Sequence, residues 1–265
     1  MKLSIITINY NNRVGLQNTI DSVRRQTWKD YEWIVIDGGS TDGSRELIEQ
    51  YQQHFAYWCS EPDRGVYHAM NKGIAKSNGE YLIFMNSGDI FYDQDVLNRI
   101  GNLHSNADII TGQVERMDNH ELLRQYNKNL WIQLYVDTLN HQGTFIHRSL
   151  FKRHLYDEHL KVVSDWKFWI ETIMIENVKV DILPWRVAIQ DMNGLSSQMD
   201  AVQFYQQERQ QVIDNLLPSP LKQILDEYQQ MKKSPYLSFG RYLNEHSRFL
   251  YAVGYRFLRC LTKIV

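Results

Sequence analysis

Continuous apolar runs alternate with helically spaced apolar residues over the first hundred positions. The first two runs are rich in Val and Ile, as in strands buried on both faces. They are LSIITI (3–8), EWIVID (32–37), YWCS (57–60) and EYLIFM (80–85). The helically spaced sets between them are Leu16, Ile20 and Val23, then Leu47, Tyr51 and Phe55, then Met70, Gly73 and Ile74. This alternation predicts a parallel sheet with right-handed crossovers.

The pattern is less regular after residue 107. Two further strands are predicted at ADIITGQV and VKVDIL. A strand leading into a helix is predicted at HQGTFIHRSLF, and a helix at SDWKFWIETIMIE. Beyond residue 200 the chain is polar and helical, interrupted at LPSP. We expect residues 1–100 and 101–200 to be two halves of one α/β domain. Residues 201–265 are expected to form a C-terminal helical extension.

Composition narrows the class of protein. The 265 residues carry a net charge of −2, which gives no electrostatic reason to expect nucleic acid as a partner. No run approaches the roughly 20 apolar residues needed to span a bilayer, and the apolar core of MKLSIITINYNN is too short for a signal peptide. Cys59 and Cys260 form no metal-binding pattern, so we expect reduced thiols in a cytoplasmic protein.

Polar residues collect where the predicted strands end. Ligands of parallel α/β sheets bind beyond the carboxyl ends of the strands, so these residues are the first candidates for a binding site. They are Tyr10, Asn11, Asp37, Glu61, Asp63 and the stretch Asn86–Ser87–Gly88–Asp89.

Two common phosphate-binding loops do not fit the sequence. The first strand runs into NYNNR without the glycines of a dinucleotide-binding loop. GGSTDGS has Gly38 and Gly43 at the spacing of a Walker A loop, but Ser44 stands where that loop needs lysine. Hydride transfer and ATP hydrolysis are therefore disfavoured.

Four ordered motifs carry a family resemblance: SIITINYNN, VIDGGSTDGS, EPDRGVYHAMNKGIAKSNGEYL and NSGD. The chain resembles family 2 glycosyltransferases of the bacterial cell-surface polysaccharide type, closely over 3–100 and more loosely over 140–195. The resemblance implies a GT-A fold, with a Rossmann-like, mostly parallel central sheet flanked by helices. It also implies inverting transfer from a nucleotide-sugar donor, preferably a UDP-sugar, to a saccharide or lipid-linked acceptor.

Asp89 is the expected metal ligand of such an enzyme. A divalent cation would offset the charge that grows on the departing diphosphate, and hard cations prefer oxygen ligands. Ser87 replaces the first acid of the family's usual D-x-D, so a single carboxylate, helped by water, is expected to hold Mg²⁺ or Mn²⁺. The alternative is that Asp89 caps a helix beginning in IFYDQDVL.

The resemblance also assigns the donor site and the acceptor side. Inversion requires a base on the face opposite the leaving group, and Asp165 at the start of SDWKFW matches the family's acid, with helix capping as the alternative. The residues that the resemblance implies for nucleotide binding are Thr7, Tyr10, Asn11, Asp37, Asp63, Arg64, Asn71, Lys72, Asn86 and Ser87. The residues that it implies for acceptor binding are His141, Gln142, Trp166 and Asp191. Asp191 is expected on a mobile loop at 188–197. Turn formation is the alternative for Asp37 and packing for Tyr10. A solvated helix face is the alternative for Lys72, and a supporting hydrogen-bond role for His141.

The C-terminal segment combines apolar residues at helical spacing with basic ones. This combination suits a helix lying on anionic lipid, and equally a helix packed on the catalytic domain or on a second subunit of a homodimer. The basic residues are Arg241, Arg248, Arg256, Arg259 and Lys263.

Two other functions stay open. A sugar nucleotidyltransferase would need a loop rich in Gly and Lys or Arg after the first strand, which NYNNRVG does not resemble. A non-catalytic, membrane-associated scaffold that binds nucleotide sugar is kept open by Ser87 and by His68, where relatives carry acids.

Overall fold

The computed structural model describes residues 2–124, 126, 130–192 and 199–233. The strands are β1 (Leu3–Asn9), β2 (Tyr31–Asp37), β3 (Tyr57–Ser60), β4 (Tyr81–Phe84), β5 (Ile90–Phe91), β6 (Ile109–Arg116), β7 (Thr144–His147) and β8 (Val180–Gln190). The α-helices are α1 (Arg13–Arg25), α2 (Ser44–Tyr51), α3 (Val66–Lys76), α4 (Val96–Gly101), α5 (Leu130–Val136), α6 (Ser164–Trp169), α7 (Met199–Leu216) and α8 (Ser219–Lys233).

The described strands form one sheet in the order β3-β2-β1-β4-β7-β6-β8-β5. β3, β2, β1 and β4 are mutually parallel, so the expected strand–helix repeat of the first hundred residues is confirmed. Helices α1, α2 and α3 are the crossovers. The polar ends of β1, β2 and β4 therefore meet at one edge of the sheet, which we call the reactive edge.

The second half of the sheet is mixed. β7 runs antiparallel to both β4 and β6, and β6 is parallel to β8. Because β7 is reversed, it starts where β4 and β6 end. The 3-10 helix His141–Gly143, which leads into β7, therefore lies at the reactive edge.

One expected loop is partly a strand. β8 continues through Gln190 because Ala188, Ile189 and Gln190 pair with β6. Of the mobile loop expected at 188–197, residues 188–190 are thus ordered sheet. Residues 193–198 lie outside the described part of the chain.

The core is built from the apolar runs that the sequence pattern singles out. Leu3, Ile5, Val35 and Ile83 have no exposed surface. On the other face α3 lies so close to β1 that a Cβ on Gly73 would approach a methyl of Ile6 to 2.4 Å. Only glycine permits this approach, which fixes α3 above the sheet.

The chain divides into two compact units, 1–212 and 213–265, with the division inside α7. The first contains both expected halves of the α/β domain, and the described part of the second includes α8. No helix among the described residues is long and apolar enough to cross a membrane. The basic segment at 241–263 lies outside the described residues, so its contact with lipid or protein stays a prediction.

Candidate active site

The turn after β4 carries Asp89, the acid expected to bind a metal ion. Gly88 has φ +104°, a conformation that favours glycine, and its N–H donates to the hydroxyl of Thr19 at 3.0 Å. The same hydroxyl lies 2.8 Å from the carbonyl oxygen of Asp89 and 3.1 Å from that of Asn86. Thr19 on α1 thus organises the whole turn. The signal in the sequence is a polar residue within the apolar face formed by Leu16, Ile20 and Val23.

Asp89 is a buried carboxylate, 4% exposed. Burial raises the pKa of its side chain to about 7, and the nearby Asp191 carboxylate adds to this rise, whereas His141 and hydrogen bonds from Gln142 and the Asp191 N–H oppose it. The Asp191 N–H donates to Asp89 Oδ1 at 3.0 Å. Strand β5, not a helix, follows Asp89 directly, so the helix-cap alternative is excluded.

Two adjacent side chains, His141 and Gln142, each contact one of the two acids, the expected base Asp165 and the expected metal ligand Asp89. Gln142 hydrogen-bonds to Asp89. His141 Nδ1 lies 3.1 Å from Asp165 Oδ2, and its Nε2 lies 3.1 Å from Asn86 Nδ2. The acids are far apart in the sequence, and the reversed strand β7 is what brings this pair of residues between them.

Asp165 is held in the first turn of α6 by three donors. Its Oδ1 accepts from the Tyr67 hydroxyl at 3.2 Å and from the Trp166 N–H at 2.8 Å, while Oδ2 faces His141. Burial, reinforced by the Asp165 charge, raises the Tyr67 pKa well above its usual value, so the phenol remains a donor. Tyr67, on α3, is a site residue that the sequence analysis does not identify. It follows EPDRGV directly and belongs to the buried face of α3.

The expected nucleotide-binding residues at the ends of β1 and β2 form one cluster. Tyr10 is 66% exposed at the reactive edge. A Cβ on Gly38 would lie 3.1 Å from the Tyr10 ring and 2.8 Å from an oxygen of Asp63, so the three residues line one wall. Asn11 Oδ1 accepts from the Thr41 N–H at 2.9 Å and fixes the adjoining loop. An exposed ring beside a carboxylate suits a nucleobase.

Asp37 lies behind this wall and is fully buried. Its Oδ1 accepts from Asn9 Nδ2 at 2.7 Å and from the Ser40 hydroxyl at 2.6 Å. Its Oδ2 accepts from the Ser40 N–H at 2.9 Å and from the Ser60 hydroxyl at 2.6 Å. These bonds fill the accepting positions of a carboxylate. Asp37 shapes the turn after β2, and a contact with base or ribose would have to displace one of these partners.

Several expected binding residues have their polar atoms committed elsewhere. Thr7 is buried in β1 and accepts from the Trp33 indole at 3.0 Å. Asn71 bonds both the N–H and the carbonyl of Tyr156, tying α3 to that segment. Both side chains already have hydrogen-bond partners inside the fold, and their contacts with nucleotide stay predictions.

Lys72 and Arg64 pair with acids. Lys72 Nζ lies 2.5 Å from Glu61, and Arg64, mostly exposed, pairs with Glu158. Ser87 is partly exposed in the turn, and its carbonyl accepts from Asn12 at 3.1 Å. Of these three, Ser87 lies beside Asp89.

Trp166 is not available to a sugar. It is 1% exposed, and its indole N–H donates to the Leu134 carbonyl at 2.7 Å. The Arg209 guanidinium lies 3.9 Å from the centre of its ring. The structure therefore corrects the expected stacking role, because a buried ring covered by a cation holds α6 in place instead.

α7 braces the segment that carries Asp165. Arg209 donates to the carbonyls of Leu134, Tyr135 and Asp137 at 2.8–3.2 Å. Its neighbour Glu208 accepts from three successive backbone N–H groups, those of residues 161–163, at 2.7–3.3 Å. These groups immediately precede α6. Buried charges with such complete sets of partners fix a backbone firmly.

Comparison with known proteins identifies relatives of the chain. The family model described as "Glycosyl transferase family 2" matches residues 4–160, more than half of the chain. An uncharacterized glycosyltransferase of Mycobacterium tuberculosis is 48% identical over 96 residues, covering 36% of this chain and only 37% of that protein. A PGL/p-HBAD biosynthesis glycosyltransferase of Mycobacterium bovis is 30% identical over 173 residues, covering 62% of this chain and 67% of that protein.

Solved structures share the fold at low sequence identity. The structure of Staphylococcus aureus TarS 1–349 in complex with UDP-GlcNAc is 17% identical, with a TM-score of 0.67, covering 91% of this chain and 75% of that one. The mannosyltransferase PcManGT of Pyrobaculum calidifontis, in complex with GDP-Man and Mn²⁺, is 15% identical, with a TM-score of 0.63, covering 98% and 80%. The expected GT-A fold is confirmed.

Proposed function

The chain belongs to glycosyl transferase family 2, and we propose that it transfers a sugar with inversion from a nucleotide-diphosphate donor. The acceptor proposed is a saccharide or a lipid-linked saccharide of cell-surface polysaccharide synthesis. The observation that carries the proposal is that the two acids contact adjacent residues of one short helix at the reactive edge. Asp89 and Asp165 are each held there by one of the adjacent side chains Gln142 and His141.

The residues around Asp89 fit a divalent cation, Mg²⁺ or Mn²⁺. Asp191 supplies a second carboxylate, since one of its oxygens would lie 2.5 Å from a Cβ on Gly88. The Asp191 carboxylate helps to raise the pKa of Asp89, and a cation between the two acids would relieve their repulsion. No group of three or more His, Cys, Asp or Glu side chains within the described ranges forms a ready metal site. Oxygens of the diphosphate and of water would supply the remaining ligands.

The roles of the chain's own residues follow from this arrangement. A bound cation would neutralise the charge that develops on the leaving diphosphate. Asp165 accepts the proton of the attacking hydroxyl, its side chain being 16% exposed and reachable. Tyr10 and Asp63 flank the nucleobase. The turn at 86–89, shaped by Gly88 and Thr19, holds the diphosphate end of the donor.

A UDP-sugar is the proposed donor. TarS is known in complex with UDP-GlcNAc, whereas PcManGT is known with GDP-Man, so structural neighbours include both kinds of nucleotide. The Asp63 carboxylate at the wall beside Tyr10 can accept from an N–H on a base edge, which uracil offers.

A non-catalytic scaffold is the remaining alternative. His68 does not favour it, because its Nδ1 accepts from the Arg64 N–H at 3.1 Å and so fixes the backbone just before α3. A scaffold would bind nucleotide sugar without releasing nucleotide, so turnover distinguishes the two functions.

The decisive experiment combines binding and turnover. UDP-, GDP-, CMP- and dTDP-sugars are screened by thermal shift with and without Mn²⁺, since a ligand that binds only the native state raises its melting temperature. Nucleotide release is then measured with the best donor. We expect Mn²⁺-dependent release that Asp89→Ala and Asp165→Ala both abolish. Near wild-type release by both variants would refute the proposal, and binding without release would favour the scaffold.

A further inference from the structure

The carboxylate of Asp165 has an uneven set of hydrogen bonds. Each carboxylate oxygen can accept about two. Oδ1 has both, from the Tyr67 hydroxyl and the Trp166 N–H. Within the described part of the chain, Oδ2 has one partner, His141 Nδ1 at 3.1 Å. Oδ2 is therefore the oxygen with a position left to take a proton.

The surroundings of His141 place a proton on Nδ1. Nε2 lies 3.1 Å from the side-chain amide of Asn86. With Asn86 Nδ2 facing the ring, Nε2 must accept, and a neutral imidazole then carries its hydrogen on Nδ1. With the amide turned to present its oxygen, Nε2 donates to Asn86, and Nδ1 must still donate because the Asp165 carboxylate oxygen opposite it is an acceptor. In each arrangement the Nδ1–H points at Asp165 Oδ2.

The same contacts link the base to the donor side. Asn86 begins the turn that ends in Asp89, and the residue after His141 is the Gln142 that bonds Asp89. In-line displacement requires the base to be placed relative to the leaving group. The chain Asn86–His141–Asp165 provides this placement through two hydrogen bonds.

We propose, on the basis of the sugar transfer proposed above, that His141 is the positioning residue of the acceptor base. Its Nδ1–H fixes Asp165 Oδ2, the oxygen that receives the acceptor's proton, and Asn86 fixes the ring. In the step itself the acceptor O–H bond breaks and its proton moves to Oδ2. The acceptor oxygen bonds the anomeric carbon, and the carbon–oxygen bond to the diphosphate breaks with its electron pair leaving on the diphosphate.

Two amide variants separate this role from mere packing. In His141→Asn the side-chain amide nitrogen can take the place of Nδ1, so the bond to Oδ2 is kept, whereas in His141→Gln the amide reaches the place of Nε2 and that bond is lost. We expect His141→Gln to lower kcat for nucleotide release by about 10- to 100-fold with the donor KM changed less than about twofold. His141→Asn should stay within about threefold of wild type. His104→Asn and His104→Gln, on an exposed histidine, are the matched controls.

The kinetic results test the positioning role of His141 independently of the proposed sugar transfer. Equal kcat in both His141 variants, or losses that appear mainly in KM and melting temperature, would overturn the positioning role while leaving sugar transfer intact. Absence of release by the wild type with every donor would refute the proposed function instead.

A measurement on the resting protein needs no substrate. The ¹⁵N resonances of His141 should report a proton on Nδ1, and this signature should change in Asp165→Asn. A neutral ring with its proton on Nε2 would overturn the inference whatever the enzyme transfers.

Discussion

Replacing Asp89 by Asn should stabilise the metal-free protein above neutral pH. The carboxylate is 4% exposed and accepts the Asp191 N–H, and burial raises its pKa from 3.8 to about 7. Asparagine has nearly the same shape and can accept the same N–H bond, but it carries no charge. The substitution therefore removes the cost of burying the anion and leaves the packing in place.

The magnitude follows from the two pKa values. The folded protein binds the Asp89 proton more tightly than the unfolded chain, so this group's contribution is fully present below pH 4 and is lost as pH rises towards 7. A shift of about three units at 1.36 kcal/mol each corresponds to about 4 kcal/mol. The advantage of Asp89→Asn should thus be near zero at about pH 4 and grow to about 4 kcal/mol by pH 8.

Urea unfolding followed by tryptophan fluorescence in EDTA, between pH 4.5 and 8.5, measures this difference. Asp30→Asn, which alters an exposed carboxylate, should leave the pH dependence unchanged. Adding Mn²⁺ at pH 8 should stabilise the wild type and leave Asp89→Asn unaffected, because binding to the native state adds RT ln(1 + [L]/Kd). Parallel pH curves for wild type and Asp89→Asn in EDTA would refute the reasoning.

Three further variants test other parts of the site. Asp165→Asn should reduce nucleotide release by about 10²- to 10⁴-fold while the donor still raises the melting temperature, and loss of that thermal shift would contradict a purely chemical role. Arg209→Ala should lower the free energy of unfolding by about 3 kcal/mol, because three carbonyls lose a charged donor, whereas Gln206→Ala on the exposed side of α7 should be neutral in the same urea titration. Gly88→Ala should be about 2 kcal/mol more destabilising than Gly65→Ala, since both have positive φ but only at 88 would the Cβ meet a side chain, at 2.5 Å. Equal losses at the two glycines would contradict the contact.

The first half of the fold is readable from the sequence because its signals are local. The runs at 3–8 and 32–37 are continuous and β-branched, and the helices between them repeat apolar residues every three or four positions. The second half depends on pairing between distant segments. β5 is two residues long and, among the described strands, pairs with β8 alone, and nothing in its own sequence indicates that partner.

The sequence predicts those site residues whose own side-chain chemistry suggests a role. Asp89 and Asp165 stand out as acids after strand-like segments, and the structure brings both to the reactive edge. The residues that hold them in place, Tyr67 and Thr19, do not stand out. In the sequence both resemble ordinary core residues, and only the folded structure shows their contacts. The prediction for Trp166 is wrong because an aromatic ring beside an acid is equally typical of a sugar-binding site and of a buried core.

The reversed direction of β7 has a consequence for how such an enzyme can diversify. The connection from β6 to β7 leaves the sheet and returns to it at the reactive edge, because the two strands are antiparallel neighbours. If the proposed sugar transfer is correct, insertions between Arg116 and α5 would change the surroundings of the acceptor without shifting any strand, while His141 and Gln142, at the end of the connection, keep their contacts with the two acids. The topology thus separates the part of the chain that can vary with the partner from the part that must remain constant.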